Sequence, residues 1–562
     1  MRSMVRRFSC RSVGMLIGAH GRLLHNEGMT ANSTASARPR PSIWGPLRER
    51  PFGALWLSGG IFFIGNAMHN MAASWLMIEL TGSSFLAALV QTASFLPMFL
   101  LSLPAGVLAD TVDRRRLMLR TQGVYAVTVL LLTALAFSRG VGPSTLLLFT
   151  FVLGVCTAVQ SPSWNSAVSD TVSREELPHA ITLVAMAFNG ARAVGPALAG
   201  VVFAWLGSGA VFVLALLSAL VMMHTTRRYP PKPHPKGKLP VERLWAGMLA
   251  GLRYARHSPA TFAQLVRTLA YSGLGSALWA LLPVIAQRQL GLGAAGFGLL
   301  MGCLGTGAVA AGFFIARLRS QLGLDALAAG CCVIFAGAML VAALSTWHAL
   351  VYAALVLGGA AWMAMMSTFN AATQTSAPPW VRARAASLHT LCALGSFAIG
   401  SALWGAVSGL LGLTATLCLA AAAMIASIAL ARPFPLRMGA EKEVTLATPW
   451  KDLFVAHEPD LEAGPVAVEI AYRIHADDAP RFLEVVQQLA VPRRRDGATF
   501  WRIYRDLADP CCYVERFIVT SWADYLRQRS RSTVADQELE AEARRFQMPG
   551  YPVSMRHYIA ER

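Results

Sequence analysis

Between residues 55 and 430 the chain repeats one pattern: an apolar run of about 20 residues, the length of a bilayer crossing, then a short polar turn. Twelve such runs are predicted as membrane-spanning helices, with cores at 55–78, 85–109, 117–137, 146–168, 183–204, 210–223, 265–285, 296–315, 326–344, 349–368, 387–407 and 413–430. The turns alternate in charge. Every second one is basic, with Arg114, Arg115 and Arg116, then Arg174, then Arg227, Arg228, Lys232, Lys236 and Lys238, then Arg317 and Arg319, then Arg382 and Arg384. The intervening turns carry only Arg139 and Arg288. Lys and Arg collect on the cytoplasmic side of spanning helices, so the alternation predicts an even number of crossings and two cytoplasmic termini.

The longest turn, 225–259, divides the runs six and six. The halves are related: residues 164–200 align without a gap on 369–405. Asn165 falls on Asn370, and Gly190, Gly195 and Gly200 fall on Gly395, Gly400 and Gly405. Both copies end one run, cross a charged turn and enter the next. Two parallel six-helix halves related by an axis along the membrane normal are expected, an architecture of secondary transporters.

Outside the runs the pattern changes. Residues 1–50 are basic and rich in Ser, Ala and Pro, which predicts a disordered cytoplasmic tail. In the central linker, 226–260, a Pro- and Lys-rich stretch precedes an apolar–basic pattern at 241–254. That pattern reads as an amphipathic helix on the inner membrane surface, or as a plain linker. Beyond a second linker, 433–464, the period shortens. The order β-α-β-β-α-β over 465–562 predicts a soluble ferredoxin-like domain, with a strand at 466–474, a helix at 479–489, a turn at Asp496-Gly497 and a helical stretch at 522–546. The fold expected is an all-α membrane protein with halves at 51–225 and 261–432, plus this α+β domain.

Composition supports a membrane reading. Hydrophobic residues make up 55% of the chain and charged residues 14%, against about 25% in soluble domains. The net charge of +19 lies in turns and termini, and the absence of a contiguous basic face argues against nucleic acid as a partner. The nine cysteines are scattered or adjacent, as at Cys331-Cys332 and Cys511-Cys512, without zinc-ligand spacing. No metal and no cofactor is expected.

Residues 106–116, GVLADTVDRRR, resemble the signature between the second and third helices of the major facilitator superfamily. Gly106, Asp110, Arg114, Arg115 and Arg116 match it, while Thr111 and Asp113 depart from it. The segments WLMIELTGSS, FLPMFLL, PAGVLAD, SREELPHAITL and NGARAVGPALAG, with the C-terminal domain, look like the enterobactin-exporter-like branch, also called transmembrane secretion effectors. The resemblance implies a bacterial inner-membrane exporter of small siderophore- or drug-like molecules, driven by protons.

It also implies that Gly106, Asp110, Arg114 and Arg115 form a gate whose charged contacts hold one conformation and break in the other. The same arginines also satisfy the charge rule without gating. Gly190, Gly195 and Gly200 allow close helix approach and Pro196 bends its helix, so they are read as a packing hinge between halves. Arg192 lies within an apolar run with Phe397 as its counterpart, which marks it as a cavity residue that binds an anionic group or completes a charge network, with snorkelling to the membrane surface as the alternative. Asn66, His69, Asn70, Gln91, Gln160, Trp164, Asn165, Asn370 and Gln374 are the other cavity candidates. His69 and Glu79 are the proton-coupling candidates. The C-terminal domain resembles antibiotic-biosynthesis monooxygenases, with Trp501, Tyr504, His475 and His557 as pocket or core residues. Self-association or regulation through it is expected. The alternative is a membrane-anchored enzyme or sensor in which this domain carries the activity.

Overall fold

The computed structural model describes residues 44–173, 175–229, 244–447, 455 and 457–561. For 102–103, 106–107, 109–111 and 244–249 it describes the backbone only. Most of the expected tail, Arg174, the first part of the central linker and the Asp110 side chain therefore lie outside the described residues.

The membrane part runs α1 (Arg50–Thr81), α2 (Ser84–Thr111), α3 (Arg114–Phe137), α4 (Pro143–Ser169), α5 (Leu177–Arg228), α6 (Leu244–His257), α7 (Pro259–Val284), α8 (Ala294–Gln321), α9 (Leu324–Leu344), α10 (His348–Thr375), α11 (Arg382–Leu411) and α12 (Leu413–Ala426). Among the described residues, eleven helices are long and apolar enough to cross a membrane; α6 is not one of them. Helix α5 has 52 residues, which at about 1.5 Å per residue far exceeds a ~30 Å hydrocarbon core. Its backbone breaks at Gly207, where φ is 77° and ψ 177°. That left-handed φ favours glycine, and the break falls between the fifth and sixth apolar runs.

Within the first half α1 packs on α5 and α2 on α4; within the second, α7 packs on α11 and α10 on α8 and α9. The halves meet through smaller contacts of α1 and α2 on α7 and of α1 on α8, and mainly through two pairs, α2 with α11 and α5 with α8. These pairs exchange under the sequence repeat. Most spans are apolar around much of their circumference, so many large side chains, such as Trp205, Phe313 and Leu410, are exposed. That is the expected face toward lipid.

The expected amphipathic segment of the linker is α6. Its Ala250, Tyr254 and Ala255 are buried, and the helix packs on α7, α11 and the soluble domain. Protein, not only a membrane surface, covers it.

After a short α13 (Glu441–Val444) the soluble domain runs β1 (Val466–Arg473), α14 (Ala479–Gln488), α15 (Ala490–Asp496), β2 (Phe500–Arg505), β3 (Cys512–Val519), α16 (Trp522–Arg531), α17 (Val534–Arg545) and β4 (Ser554–Ile559). Its sheet has the order β2-β3-β1-β4, all antiparallel. Strand β1 alternates buried and half-buried residues, and Val466, Val468, Ile470 and Tyr472 meet Phe482, Val486 and Trp522 in one core. The expected single helix over 522–546 is two helices. Thr533 starts the second, accepting from the Asp536 backbone N–H while Asp536 reaches back to Thr533, a capping box. Helix α15, AVPRRRD, is not among the expected elements. Its proline stands at the third position, inside the first turn, where no intrahelical donor is needed.

Candidate functional site

The halves close on each other at one end of the bundle. At this end, away from the arginine-rich turns, Arg288 donates to the Gly82 carbonyl. Trp75 of α1 stacks on Phe297 of α8 with centroids 5.6 Å apart. A Cβ on Gly200 would lie 2.7 Å from the Ala294 carbonyl oxygen, and one on Gly405 would lie 2.5 Å from the Ala88 Cβ. Both glycines are at close approach between the halves. Gly195 and Gly400 differ: they pack on α1 and α7, each inside its own half. A Cβ on Gly190 would meet no atom within 4 Å, so this glycine is not a packing residue in this conformation.

Contact between halves continues to mid-bundle, where Phe95 meets Phe397 at 5.1 Å and a Cβ on Gly305 would strike Ala193. Toward the basic end the polar candidates are open. Asn165, Asn370, Gln374 and Arg192 are exposed. Arg192 places its guanidinium 5.3 Å from the ring centroid of Trp279, on α7 of the other half. Asn165 sits beside Arg114 and Asp170 in an open recess. Asn370 accepts from Gln374 one helical turn on, at 3.0 Å, so these two act as a pair.

Other candidates are elsewhere. His69 is 1% exposed, 5.4 Å from the Phe212 ring, and neither ring nitrogen has a hydrogen-bond partner among the described residues. Trp164 is buried against Gly59 and Phe63, part of the first half's core. Gln91 and Gln160 are buried too. Asn66 and Asn70 are half-buried within the first half: Tyr125 reaches Asn66 at 3.4 Å and Ser94 donates to Asn70 at 2.7 Å. Glu79 is exposed at the closed end and accepts from Trp75 Nε1 at 2.6 Å.

Arg114 and Arg115, expected as gate residues, have partners that spacing alone did not reveal. Arg114 pairs with Asp170, at the end of α4, at 3.0 Å. Arg115 donates to the Arg227 carbonyl. Asp113, which departs from the superfamily signature, caps α3 by accepting from the Arg116 backbone N–H at 2.8 Å. Two further residues were missed. Trp279 looked like an ordinary apolar-run residue, and the buried Arg267, paired with the partly exposed Asp325, lay at the edge of a run where a basic residue is unremarkable.

In the soluble domain, Trp501 donates to the buried Glu515 at 2.9 Å and His557 meets the Tyr525 hydroxyl at 2.6 Å, while Tyr504 and His475 are exposed. None of these four lines the domain's cavity of about 80 Å³, which includes Arg493, Asp496, Tyr525, Asp536 and Glu540. Burial pushes the Asp496 carboxyl up to about 6, against the pull of Arg495.

This arrangement of two related helical halves around an open centre defines the class. The chain belongs to the transmembrane secretion effector family, which matches residues 41–562. It is similar to the staphyloferrin A transporter of Staphylococcus aureus, 26% identical over 26% of this chain and 37% of that protein. It is also similar to the multidrug efflux pump Tap of Mycolicibacterium fortuitum, 26% identical over 66% of this chain and 91% of that one. The chain thus spans little more than a third of the first relative and nearly all of the second. Among solved structures it shares a fold with a bacterial homolog of the human lysosomal transporter Spinster in an inward-facing, unoccupied conformation, at TM-score 0.53, 17% identity, and coverage of 69% of this chain and 98% of that one. The nucleoside transporter NupG matches at TM-score 0.54, 14% identity, and 69% and 100% coverage.

Proposed function

We propose that this protein is a proton-coupled secondary transporter of the bacterial inner membrane, exporting a small anionic, siderophore- or drug-like molecule by alternating access. One observation carries the reading: halves sealed at one end and open at the other, with Arg192 exposed between them over Trp279. Counting the arms of α5 on either side of Gly207 separately, the assignment is twelve spans, six each at 51–225 and 261–432, with both termini cytoplasmic. The basic turns support placing the open end at the cytoplasm. The sheet order β2-β3-β1-β4 supports a ferredoxin-like domain at 465–562.

Arg192 is the anion receptor in this scheme. A charge-assisted bond to a carboxylate or catecholate is stronger than a cation–π contact at an exposed site. Substrate therefore draws the guanidinium off Trp279 and leaves the ring free for an apolar part of the same molecule. The relatives' names, a siderophore transporter and a multidrug pump, fit that class. They speak against the membrane-anchored enzyme.

The test is uptake into everted vesicles with an imposed pH gradient, using anionic siderophores and amphipathic drugs. Accumulation that collapses with a protonophore is expected. Arg192→Ala should lower it about tenfold for anionic compounds, the loss of one charge-assisted bond. Uptake no greater than in vesicles lacking the protein, across the panel, rejects the proposal.

A further inference from the structure

The α4–α5 and α10–α11 turns are copies in sequence, yet they are held differently. In the first half Arg114 grips Asp170. The repeat places Thr375 opposite Asp170, so the second copy has no acid there. The arginine of the corresponding α8–α9 turn, Arg319, instead donates to Ser367 at 2.7 Å.

What holds the second turn comes from the linker helix and the soluble domain. Trp380 lies against the Tyr254 ring of α6, centroids 5.7 Å apart at 87°, and under the Arg531 guanidinium at 4.2 Å. Tyr254 donates to the Ser376 carbonyl at 3.0 Å. Arg531 ends α16, is 8% exposed, and donates to the Asp496 carbonyl at 3.5 Å. The chain leaving α12 adds a strap. The Arg437 carbonyl accepts from Gln264 at 2.9 Å and Ser376 at 3.2 Å, and farther on Ala447 donates to Ser532 and Val534 to Thr445. The strap thus joins the second half to the residues that follow Arg531.

We infer that the soluble domain is a latch on the second half: through Arg531 on Trp380 it does for the α10–α11 turn what the Arg114–Asp170 pair does for the α4–α5 turn. A basic side chain reaches each turn, from a neighbouring loop in one half and from a separate domain in the other. Because the latch is closed while the basic end is open, docking favours this conformation, and releasing it slows return to the state that loads substrate. The effect on flux rests on the transport reading above; the contact does not.

The experiment compares the full-length wild type with Arg531→Ala, Arg531→Lys, Trp380→Ala and Trp380→Phe. Hydrogen exchange is followed at residues 376–385 and 170–180, alongside vesicle flux. Arg531→Ala and Trp380→Ala are expected to speed exchange of the second turn about tenfold, leave the first turn unchanged, and cut flux about threefold. Arg531→Lys and Trp380→Phe keep a cation and a ring, and are expected to stay within about twofold of wild type. Unchanged exchange at 376–385 in both alanine variants overturns the latch, and so does a loosened second turn with wild-type flux. Absence of flux in the wild type with the exchange contrast intact counts against the transport reading alone.

Discussion

Arg114 and Asp170 are only partly covered, with side chains 24% and 37% exposed, so their pair contributes at most about 1 kcal/mol to stability. A contact of that size suits a switch, since it breaks without unfolding anything. Asp170→Asn is expected to leave expression and thermal stability near wild type while changing flux several-fold; an unaltered flux would remove the pair from the gate. A buried acid behaves differently. Asp496 has a folded pKa raised from its ordinary 3.8 to about 6 by burial. The folded state therefore holds the proton more tightly than the unfolded chain, so this residue's contribution to stability is largest below pH 4 and falls as pH rises to about 6. The cost approaches about 3 kcal/mol at most, at roughly 1.36 kcal/mol per unit. Asp496→Asn should remove that part of the slope, read as a flatter dependence of the soluble domain's unfolding on pH between about 4 and 6.

At the scale of elements, glycine positions separate tight from loose contacts. A Cβ on Gly200 would meet backbone at 2.7 Å and 3.0 Å across the α5–α8 contact, and backbone cannot rotate away. Overpacking of this kind costs about 1–3 kcal/mol, charged only to the conformation in which the contact is closed. Gly200→Ala is thus expected to shift the protein toward the conformation open at the other end, lowering flux by about tenfold, whereas Gly190→Ala is expected to be neutral. Equal effects of the two substitutions would dismiss the closed end as a gate. Which glycines would touch the other half was only half legible. The repeat marked Gly195 and Gly200 alike, but they lie five residues apart, well over a full helical turn, and face different neighbours. The long apolar helices were legible from length at ~20 residues per crossing, with eleven among the described residues where twelve runs were expected. Direction around each helix was not. His69 and Trp164 looked like cavity residues but are sealed in the first half, since helices apolar on nearly every side carry no signal of which face is inward. Arg114 was read beside Asp110, whose side chain lies outside the described residues; the second acid it meets, Asp170, lies 56 residues away at the end of another helix and was not legible.

For the whole molecule, the proton coupling proposed above requires that a proton on one side of the membrane alter the contacts that hold the halves together. His69 is poorly placed for this, being sealed and without a hydrogen-bond partner among the described residues. Glu79 is better placed. It stands exposed at the closed end, accepts from Trp75, and Trp75 stacks on Phe297 of the other half. A proton arriving from that side turns a charge-assisted acceptor into a neutral one, a loss of roughly half the bond's strength. The indole is then less firmly aimed at Phe297, and the closed end opens more readily. Glu79→Gln keeps an oxygen that accepts from Trp75 but cannot titrate. The variant is therefore expected to fold and to equilibrate substrate down its own gradient, while losing the accumulation that an acidic vesicle lumen drives in the wild type. His69→Ala, by contrast, is expected to keep the wild-type response while losing stability through the cavity it leaves, in the range of about 2–5 kcal/mol for large buried side chains. A Glu79→Gln protein that keeps the full pH response would place the coupling group elsewhere, and a His69→Ala protein that folds yet loses it would move the assignment to His69.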